Sequence, residues 1–180
     1  MIDKNVSLES LMGKPLVKAP NLSEGFHLVL FGMMAKWAPS KRALLIAENT
    51  NVIPSVKGVL GQDWEIDCLG YEGATGEAYD VDLNVRQVFE AKYPVVMSQA
   101  MLEHVCRPSV VIENMISMLE PGGVLVVHTV GPPFPYHAFP IDCVRFMNDF
   151  WSSLAEYIPY ELLWFNERDS HHFVAMKRPS

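Results

Sequence analysis

A chain of 180 residues is long enough for one domain with a substantial hydrophobic core. Its content of 49% hydrophobic and 19% charged residues is typical of a globular protein and excludes a disordered one. The net charge of −7 and the scattered basic residues argue against nucleic acid and anionic membranes as partners, because both require clustered positive charge.

No targeting segment is expected. The first residues lack the apolar core of a signal peptide, and the longest early apolar run, Phe26 to Ala35, is too short to span a bilayer. The three cysteines include no CxxC spacing, which is typical of reduced thiols. We therefore expect a cytoplasmic protein in which Cys68, Cys106 and Cys143 are packing residues.

The first predicted elements are an extended arm and a helix. Residues 1–20 contain two prolines and little periodicity, which favours an N-terminal arm. Apolar residues then recur at helical spacing and predict a helix from about Glu24 to Trp37, with Asn21 or Ser23 as its N-cap.

Three short, continuously apolar runs follow, at residues 43–47, 93–98 and 124–130. Runs without alternation are typical of strands buried on both faces, so we predict that these are the central strands of a parallel sheet. Residues 64–71 alternate more and give a weaker strand prediction. A helix is predicted at residues 108–119, and strand, helix, strand in this order indicates a doubly wound α/β sheet.

The C-terminal part has a different pattern. Residues 131–147 hold four prolines and predict an ordered irregular loop beside the substrate, since it leaves the carboxyl end of a central strand. A short helix is predicted from Asn148 or Asp149 to about Tyr157. Residues 160–165 and 171–176 then predict an antiparallel hairpin. The whole chain is expected to form a single domain.

Three segments stand out, VMSQAMLEHV at residues 96–105, LEPGGVL at 119–125 and HAFPIDCVRF at 137–146. Together they resemble motifs of the type 11 class I S-adenosylmethionine-dependent methyltransferases. The first resembles the family's fourth strand, which leads into LEHV. The second resembles its LKPGG turn, and the third resembles an HxxPxDxxRF loop found in a subset of members. The resemblance implies a mainly parallel, seven-stranded Rossmann-like sheet, with the C-terminal hairpin supplying an antiparallel strand. It also implies S-adenosylmethionine as cofactor.

The cofactor loop departs from the family pattern. An acid follows the first apolar run, as in the family, but no glycine follows until Gly58. Asparagines stand where glycines would allow close backbone approach to a ligand. The resemblance implies acids near the ribose and the adenine and polar residues after the fourth family strand. These cofactor-binding candidates are Glu48, Asn49, Asn51, Glu72, Asp82, Ser98 and Gln99, with Asp67 as the alternative to Glu72 beside the ribose.

On the substrate side, His137 and His104 are the candidate catalytic residues, because histidine titrates near neutrality. Both could instead serve only to hold their loops. The pair Asp142 and Arg145 can lock the proline-rich loop. No metal site is expected, since methyl transfer from a sulfonium requires none and His171 with its neighbour has no further ligands at suitable spacing.

The sequence leaves two functions open. One is an S-adenosylmethionine-dependent methyltransferase acting on a small molecule. The other is a non-catalytic protein of the same fold that binds a ligand or a partner, which the missing glycines favour. A homo-oligomer is left open in both cases. An enzyme that uses a nucleotide sugar is disfavoured, because no GxGxxG follows the first strand.

Overall fold

The computed structural model describes residues 25–70, 82–137 and 141–180. These residues form one six-stranded sheet in the spatial order β2-β1-β3-β4-β6-β5. The strands are β1 (Arg42–Ile46), β2 (Glu65–Leu69), β3 (Tyr93–Gln99), β4 (Leu119–Val130), β5 (Glu161–Arg168) and β6 (His171–Lys177). The helices are α1 (Phe26–Trp37), α2 (Ile53–Leu60), α3 (Pro108–Ser117) and α4 (Asp149–Leu154).

The central part of the sheet is parallel. Strand β1 pairs in parallel with both β2 and β3, and β3 pairs in parallel with β4. The apolar residues of β1, β3 and β4 are almost fully buried, as the uninterrupted runs predict. All three predicted central strands lie inside the sheet, so this prediction is confirmed.

Helices cover both faces of the sheet. Helices α1 and α2 pack on one face around a core that includes Phe31, Leu45 and Met97. Helices α3 and α4 pack on the other face around a core that includes Val96 and Trp151. The doubly wound α/β arrangement is therefore confirmed. None of the helices in the described part of the chain is long and apolar enough to cross a bilayer.

The predicted C-terminal hairpin is confirmed. Strand β6 pairs antiparallel with β4 on one side and with β5 on the other. Arg168 and His171 are paired, so Asp169 and Ser170 alone form the turn. Both turn residues have positive φ, at 50° and 68°, as a two-residue hairpin turn of the primed type requires.

The seven-stranded, mainly parallel expectation is only partly met. The described residues contain six strands, and two of the five pairings are antiparallel. Residues 82–92, between β2 and β3, are turns and irregular chain. The N-terminal arm, both proposed N-caps and Glu72 lie outside the described residues, and Gly25 precedes α1 in a left-handed conformation.

Three element boundaries also differ from prediction. Helix α3 ends at Ser117, and Leu119 already pairs with Tyr93 as the first residue of β4. Gly122 adopts a φ of 76° and donates its N–H to the carbonyl of Arg178, so the proline-glycine-glycine segment lies within the long strand. Helix α4 ends at Leu154, three residues before the predicted Tyr157.

Candidate functional site

The carboxyl ends of β1, β3 and β4 meet at one edge of the sheet, where open α/β folds bind ligands. Ala47 follows β1 with a φ of 59° and donates its N–H to the carbonyl of Leu69. Ala100 follows β3 with a φ of 45° and donates to the carbonyl of His128. Two alanines thus hold left-handed turns that usually favour glycine, at a cost of about 1–2 kcal/mol each.

The loop after β1 contains three of the predicted cofactor residues. The Glu48 carboxylate lies 2.9 Å from His27 Nε2 on α1, and only 17% of its side chain is exposed. The Asn49 side chain accepts a hydrogen bond of 2.8 Å from the backbone N–H of Asn51 and caps a short 3₁₀ turn, Thr50–Val52. Glu48 and Asn49 are therefore already engaged within the protein, while Asn51 is exposed.

Ser98 and Gln99 end β3 as predicted. Ser98 lies between Ile46 of β1 and Val127 of β4, and its side chain is fully buried. In the described part of the chain, Ser98 Oγ and Gln99 Oε1 are buried without a hydrogen-bond partner. Buried polar atoms are nearly always satisfied, so these two oxygens indicate a place where a ligand or water donates.

Asp82 was expected at a strand end, near an adenine ring. It lies instead in an exposed turn, where its Oδ1 accepts from the backbone N–H of Asn84 at 2.9 Å and from its side chain at 3.1 Å. The residues before Asp82, 71–81, lie outside the described part of the chain, so its role beside an adenine stays a prediction. An Asp two residues before an Asn is a common local turn, because a short carboxylate accepts from nearby backbone donors.

The two predicted catalytic histidines are brought together by a third residue, Glu103. Glu103 and His104 lie on the 3₁₀ turn Leu102–His104 after β3, and His137 lies on the loop after β4. Glu103 Oε1 is 3.9 Å from His104 Nε2 and 4.0 Å from His137 Nε2. The two imidazole rings contact edge to face, with centroids 4.9 Å apart. We call Glu103, His104 and His137 the carboxylate–histidine cluster.

Each member of the cluster is held by a second contact. Thr129 Oγ1, fully buried in β4, donates to Glu103 Oε2 at 2.6 Å. His104 Nδ1 lies 2.5 Å from the carbonyl oxygen of Ile141. His137 donates its backbone N–H to Asp142 Oδ2 at 2.7 Å. Glu103 Oε1 is buried and has no hydrogen-bond partner among the described residues.

The loop after β4 is pinned by Asp142 and Arg145, as predicted. The Arg145 guanidinium donates to both Asp142 oxygens and to the carbonyls of Phe134 and Pro135. The same guanidinium holds the pKa of the Asp142 carboxyl well below its usual range. Phe146 donates its N–H to the carbonyl of Val130 and closes the neck of the loop.

Gly131 begins this loop for a steric reason. A Cβ at this position would lie 2.5 Å from His172 Nε2 and 2.6 Å from the carbonyl oxygen of Phe146. Only glycine therefore fits where the loop leaves the sheet. The described part of the loop is fixed at its neck and by Arg145, which places the cluster member His137 firmly beside β3.

A second histidine group lies on the α1 face of the same edge. His128 Nε2 is 3.0 Å from His171 Nδ1, and the Phe26 ring stacks on His128 at 4.6 Å. Burial, followed by the neighbouring histidines, lowers the pKa of His128 to about 3, so this ring is neutral at physiological pH. His128 is therefore a neutral histidine of the core.

The cysteines are free in the described residues. Cys106 and Cys143 lie on the two loops beside the cluster with their sulfurs 3.6 Å apart, well beyond the length of a disulfide. Burial raises the pKa of Cys68 to about 11, which keeps that thiol protonated and unreactive.

A cavity of about 670 Å³ lies beside β2. It is bordered by β2, by the start of α2 and by residues 87–91, and its lining includes Thr50 of the loop after β1 and Asp67, the alternative ribose acid. The catalytic candidates are not among the lining residues, and the lining is largely apolar, whereas unpartnered polar atoms of the described residues lie at the carboxyl ends of β3 and β4.

Glu103 and Thr129 are not among the site residues predicted from the sequence. The signal for Thr129 was a polar residue in an otherwise apolar central strand. Its role depends on Glu103 reaching the same side of β4, which the local sequence of either residue does not reveal.

Comparison with known proteins supports the fold. No protein-family model and no curated protein sequence matches the chain. Among solved structures, the CcbJ methyltransferase from Streptomyces caelestis superposes with a TM-score of 0.65 at 12% identity, covering 84% of this chain and 94% of that one.

Two further structures give the same result. The trans-methyltransferase CalH, in complex with SAH, superposes with a TM-score of 0.60 at 18% identity over 83% of this chain. The CurJ carbon methyltransferase superposes with a TM-score of 0.57 at 14% identity over 85% of this chain. This chain spans about half of those two, 54% and 53% of their lengths. The described sheet and its helices have the fold of the class I S-adenosylmethionine-dependent methyltransferases.

Proposed function

We propose that the chain is a type 11-like S-adenosylmethionine-dependent methyltransferase with a degenerate first cofactor motif. One observation carries the proposal. Three side-chain oxygens at or just after the end of β3, those of Ser98, Gln99 and Glu103, are buried without partners in the described residues. They lie at the edge of the sheet where a fold of this class binds its ligands. Unmet hydrogen-bonding capacity concentrated there indicates a built binding site.

The bound cofactor would supply an electrophilic sulfonium methyl group. The protein then needs to align a nucleophile and, where that nucleophile is weakly acidic, to remove its proton. The carboxylate–histidine cluster suits the second task. His104 Nδ1 faces the carbonyl oxygen of Ile141, so its proton lies there and its Nε2 is free to accept another. Glu103 would stabilise the imidazolium that results.

The described residues fit a cofactor only in part. Ser98 and Gln99 offer acceptors for it, and Asn51 is exposed beside the same edge. His27 occupies Glu48 Oε1 and the turn occupies Asn49 Oδ1, which leaves Glu48 Oε2 and the Asn49 NH2 group for a ribose. The roles inferred for Glu72 and Asp82 rest on the resemblance alone. The cofactor site is therefore centred on the end of β3 in this proposal.

The methyl acceptor is proposed to be a small molecule. Its site would lie between the cluster and the loop after β4, where His137 is 37% exposed while Glu103 and His104 lie beneath it. The aromatic ring of Phe134 contacts His137 edge to face, with centroids 5.0 Å apart, and would form one wall. We extend the proposal to a cytoplasmic location and to a homo-oligomer.

Calorimetry with S-adenosylmethionine and S-adenosylhomocysteine tests the cofactor. We expect binding to the wild-type chain, and a loss of about 1–3 kcal/mol in Gln99→Ala if its side chain bonds the cofactor. Lys41→Ala, which removes only an exposed ion pair with Asp63, is the matched control and should bind unchanged. Absence of binding to the folded wild-type chain would reject the methyltransferase.

A non-catalytic protein of the same fold is the second candidate. The contact of His27 with Glu48 favours it, because this contact occupies the acid that the resemblance assigns to the cofactor. The variant His27→Ala separates the two functions. If the contact blocks the cofactor, the variant should bind S-adenosylmethionine more tightly than the wild type does. If Glu48 and His27 bind the cofactor together, the affinity should fall.

A further inference from the structure

The carboxylate–histidine cluster has a feature that proton transfer alone does not explain. Glu103 Oε1, His104 Nε2 and His137 Nε2 converge, with ligand atoms of the three residues all within 4.8 Å of one another. Glu103 is fully buried, and its Oε1 has no hydrogen-bond partner in the described part of the chain. A buried carboxylate oxygen without a donor is strongly unfavourable, so something must compensate it.

The outer contacts determine which nitrogen of each ring carries a proton. The carbonyl oxygen beside His104 Nδ1 can only accept, so Nδ1 carries the proton and Nε2 carries a lone pair. His137 Nδ1 likewise lies 3.3 Å from the carbonyl of Pro135 and 3.5 Å from Asp142 Oδ2. Arg145 Nη2 is 3.4 Å from the same nitrogen, but its two hydrogens are taken by those two oxygens.

Three lone-pair atoms therefore face each other with no hydrogen between them. A proton on one imidazole leaves the separations of 3.9 and 4.0 Å too long for a hydrogen bond to Glu103. A cation at the centre compensates all three at once. Two imidazole nitrogens with one carboxylate oxygen are a common protein ligand set for zinc and for other divalent transition metals.

We propose that Glu103, His104 and His137 bind a divalent transition-metal ion, and that Zn²⁺ fits this donor set best. Bonds of about 2.0–2.1 Å in a tetrahedral site separate ligand atoms by about 3.3 Å. The two distances from Glu103 Oε1 to the imidazole nitrogens therefore need to close by about 0.6–0.7 Å on binding. The sequence predicted no metal site, since methyl transfer requires none. The spacing gives no sign of this one either, because His137 is 33 positions from His104 in the chain.

The surroundings of the cluster resemble the outer layer of a metal centre. Metal-binding histidines usually donate their second N–H to a carbonyl or a carboxylate, and metal-binding carboxylates are hydrogen-bonded in turn. Here the carbonyl of Ile141 lies at His104 Nδ1, and Thr129 donates to Glu103 Oε2. The carbonyl of Pro135 and the carboxylate of Asp142 lie at His137 Nδ1. Three protein ligands leave a fourth position, which would face the partly exposed side of His137.

That open position gives the metal a role at the proposed substrate site. This role, though not the binding itself, rests on the proposed methyltransferase function. A substrate hydroxyl bound to the ion would have a lowered pKa and would lose its proton to water more readily. The two histidines would then act as ligands rather than as proton acceptors.

Metal titration of the chelator-treated full chain tests the proposal without any cofactor. We expect one Zn²⁺ per chain with a Kd of about 1 μM or tighter, measured against a competing indicator dye. Co²⁺ should give visible absorption bands typical of a four- or five-coordinate ion. His137→Ala, on an irregular loop, should remain folded by circular dichroism and bind Zn²⁺ at least about tenfold more weakly.

Two further variants complete the test. Glu103→Gln removes the charged ligand and should also lose the Co²⁺ bands. His171→Gln, which changes a histidine outside the cluster, should bind as the wild type does. Absence of Zn²⁺ and Co²⁺ binding in the folded wild type overturns the proposal, and so does unchanged binding in His137→Ala. A chain that binds Zn²⁺ but not S-adenosylmethionine loses the proposed function and keeps the metal site.

Discussion

The side chain of Thr129, in the largely apolar strand β4, holds the buried carboxylate of Glu103. Its Oγ1 donates to Glu103 Oε2 at 2.6 Å, and both side chains are fully buried. A carboxylate removed from water depends on each of its remaining donors. Thr129, a residue of the sheet, is therefore needed to hold the cluster, although the cluster residues themselves lie on loops.

Replacing Thr129 by valine should destabilise the fold. Valine keeps the shape but removes the donor, so a buried carboxylate loses its hydrogen bond at a cost of about 1–3 kcal/mol. Thr129→Ser keeps the hydroxyl and loses one methyl group, which costs about 0.8 kcal/mol. Urea denaturation at pH 7 measures both variants. A valine variant as stable as the serine variant would show that this hydrogen bond contributes nothing.

His128 should make the protein sensitive to mild acid. Its pKa is lowered to about 3 in the folded chain, by burial first and then by His171, His27 and His172, against about 6.5 when unfolded. Between these two values the unfolded chain binds a proton that the native chain does not, so stability falls as pH falls. Between pH 7 and pH 5 the loss from this group is about 2 kcal/mol.

The variant His128→Phe isolates this contribution. Phenylalanine can keep the ring against Phe26 and Phe173 but cannot titrate. Urea denaturation at pH 7 and pH 5 measures the free energy of unfolding of both proteins. Between these pH values the wild type should lose about 2 kcal/mol more than the variant does. Asp142 does not interfere, because its lowered pKa affects stability only at more acidic pH. Parallel pH profiles would rule out a buried, neutral His128.

At the scale of elements, the loop after β4 depends on one side chain. The planar guanidinium of Arg145 reaches two carbonyls and both oxygens of Asp142, a geometry that an ammonium group cannot match. At about 0.5–1.5 kcal/mol for each net hydrogen bond, Arg145→Lys should lower the free energy of unfolding by about 1–3 kcal/mol.

Hydrogen exchange locates the effect of that change. In Arg145→Lys, amides of residues 131–137 and 141–146 should exchange faster, while those of β1 and β3 stay protected. Arg168→Lys is the matched control, since Arg168 pairs with Asp169 on an exposed turn. The control should change neither stability nor exchange in the loop. Equal effects of the two substitutions would contradict the pinning role of Arg145.

The turn between β5 and β6 carries avoidable strain. Ser170 has a φ of 68°, a conformation that costs a non-glycine residue about 1–2 kcal/mol. Ser170→Gly relieves this cost, and part of the gain is offset by the greater freedom of the unfolded chain. We expect a net stabilisation of about 0.5–1 kcal/mol by thermal denaturation. Ser170→Val, with a branched side chain in the same turn, should destabilise; a stable valine variant would refute the strain.

The elements that sequence patterns predicted well are those whose signal is local. Residues 43–47 and 124–130 are apolar without interruption, and this is enough to identify buried strands. The role of Asp82 near an adenine came from the resemblance alone, whereas its local sequence, an Asp two residues before an Asn, indicates the turn in which its carboxylate accepts from Asn84. The seventh strand was likewise expected only by analogy with the family.

At the scale of the whole molecule, the site depends on contacts that no local pattern contains. His104 and His137 could be placed at the same edge because they follow neighbouring central strands. Their convergence on Glu103 requires Cys143 and Val144 to donate to the carbonyl of Glu103 and so draw the two loops together. The capture of Glu48 by His27 depends on how α1 packs over the end of β1, a contact between residues 21 positions apart.

The position of β6 has a consequence for how the chain is made. Residues 171–177 follow β5 in sequence, yet they lie inside the sheet between β4 and β5. During synthesis the parallel half can emerge and pair first, but β4 keeps an open edge until these residues leave the ribosome. Open strand edges of this kind invite pairing with other chains. The nascent protein is thus exposed to aggregation from the emergence of β4 until β6 has been translated.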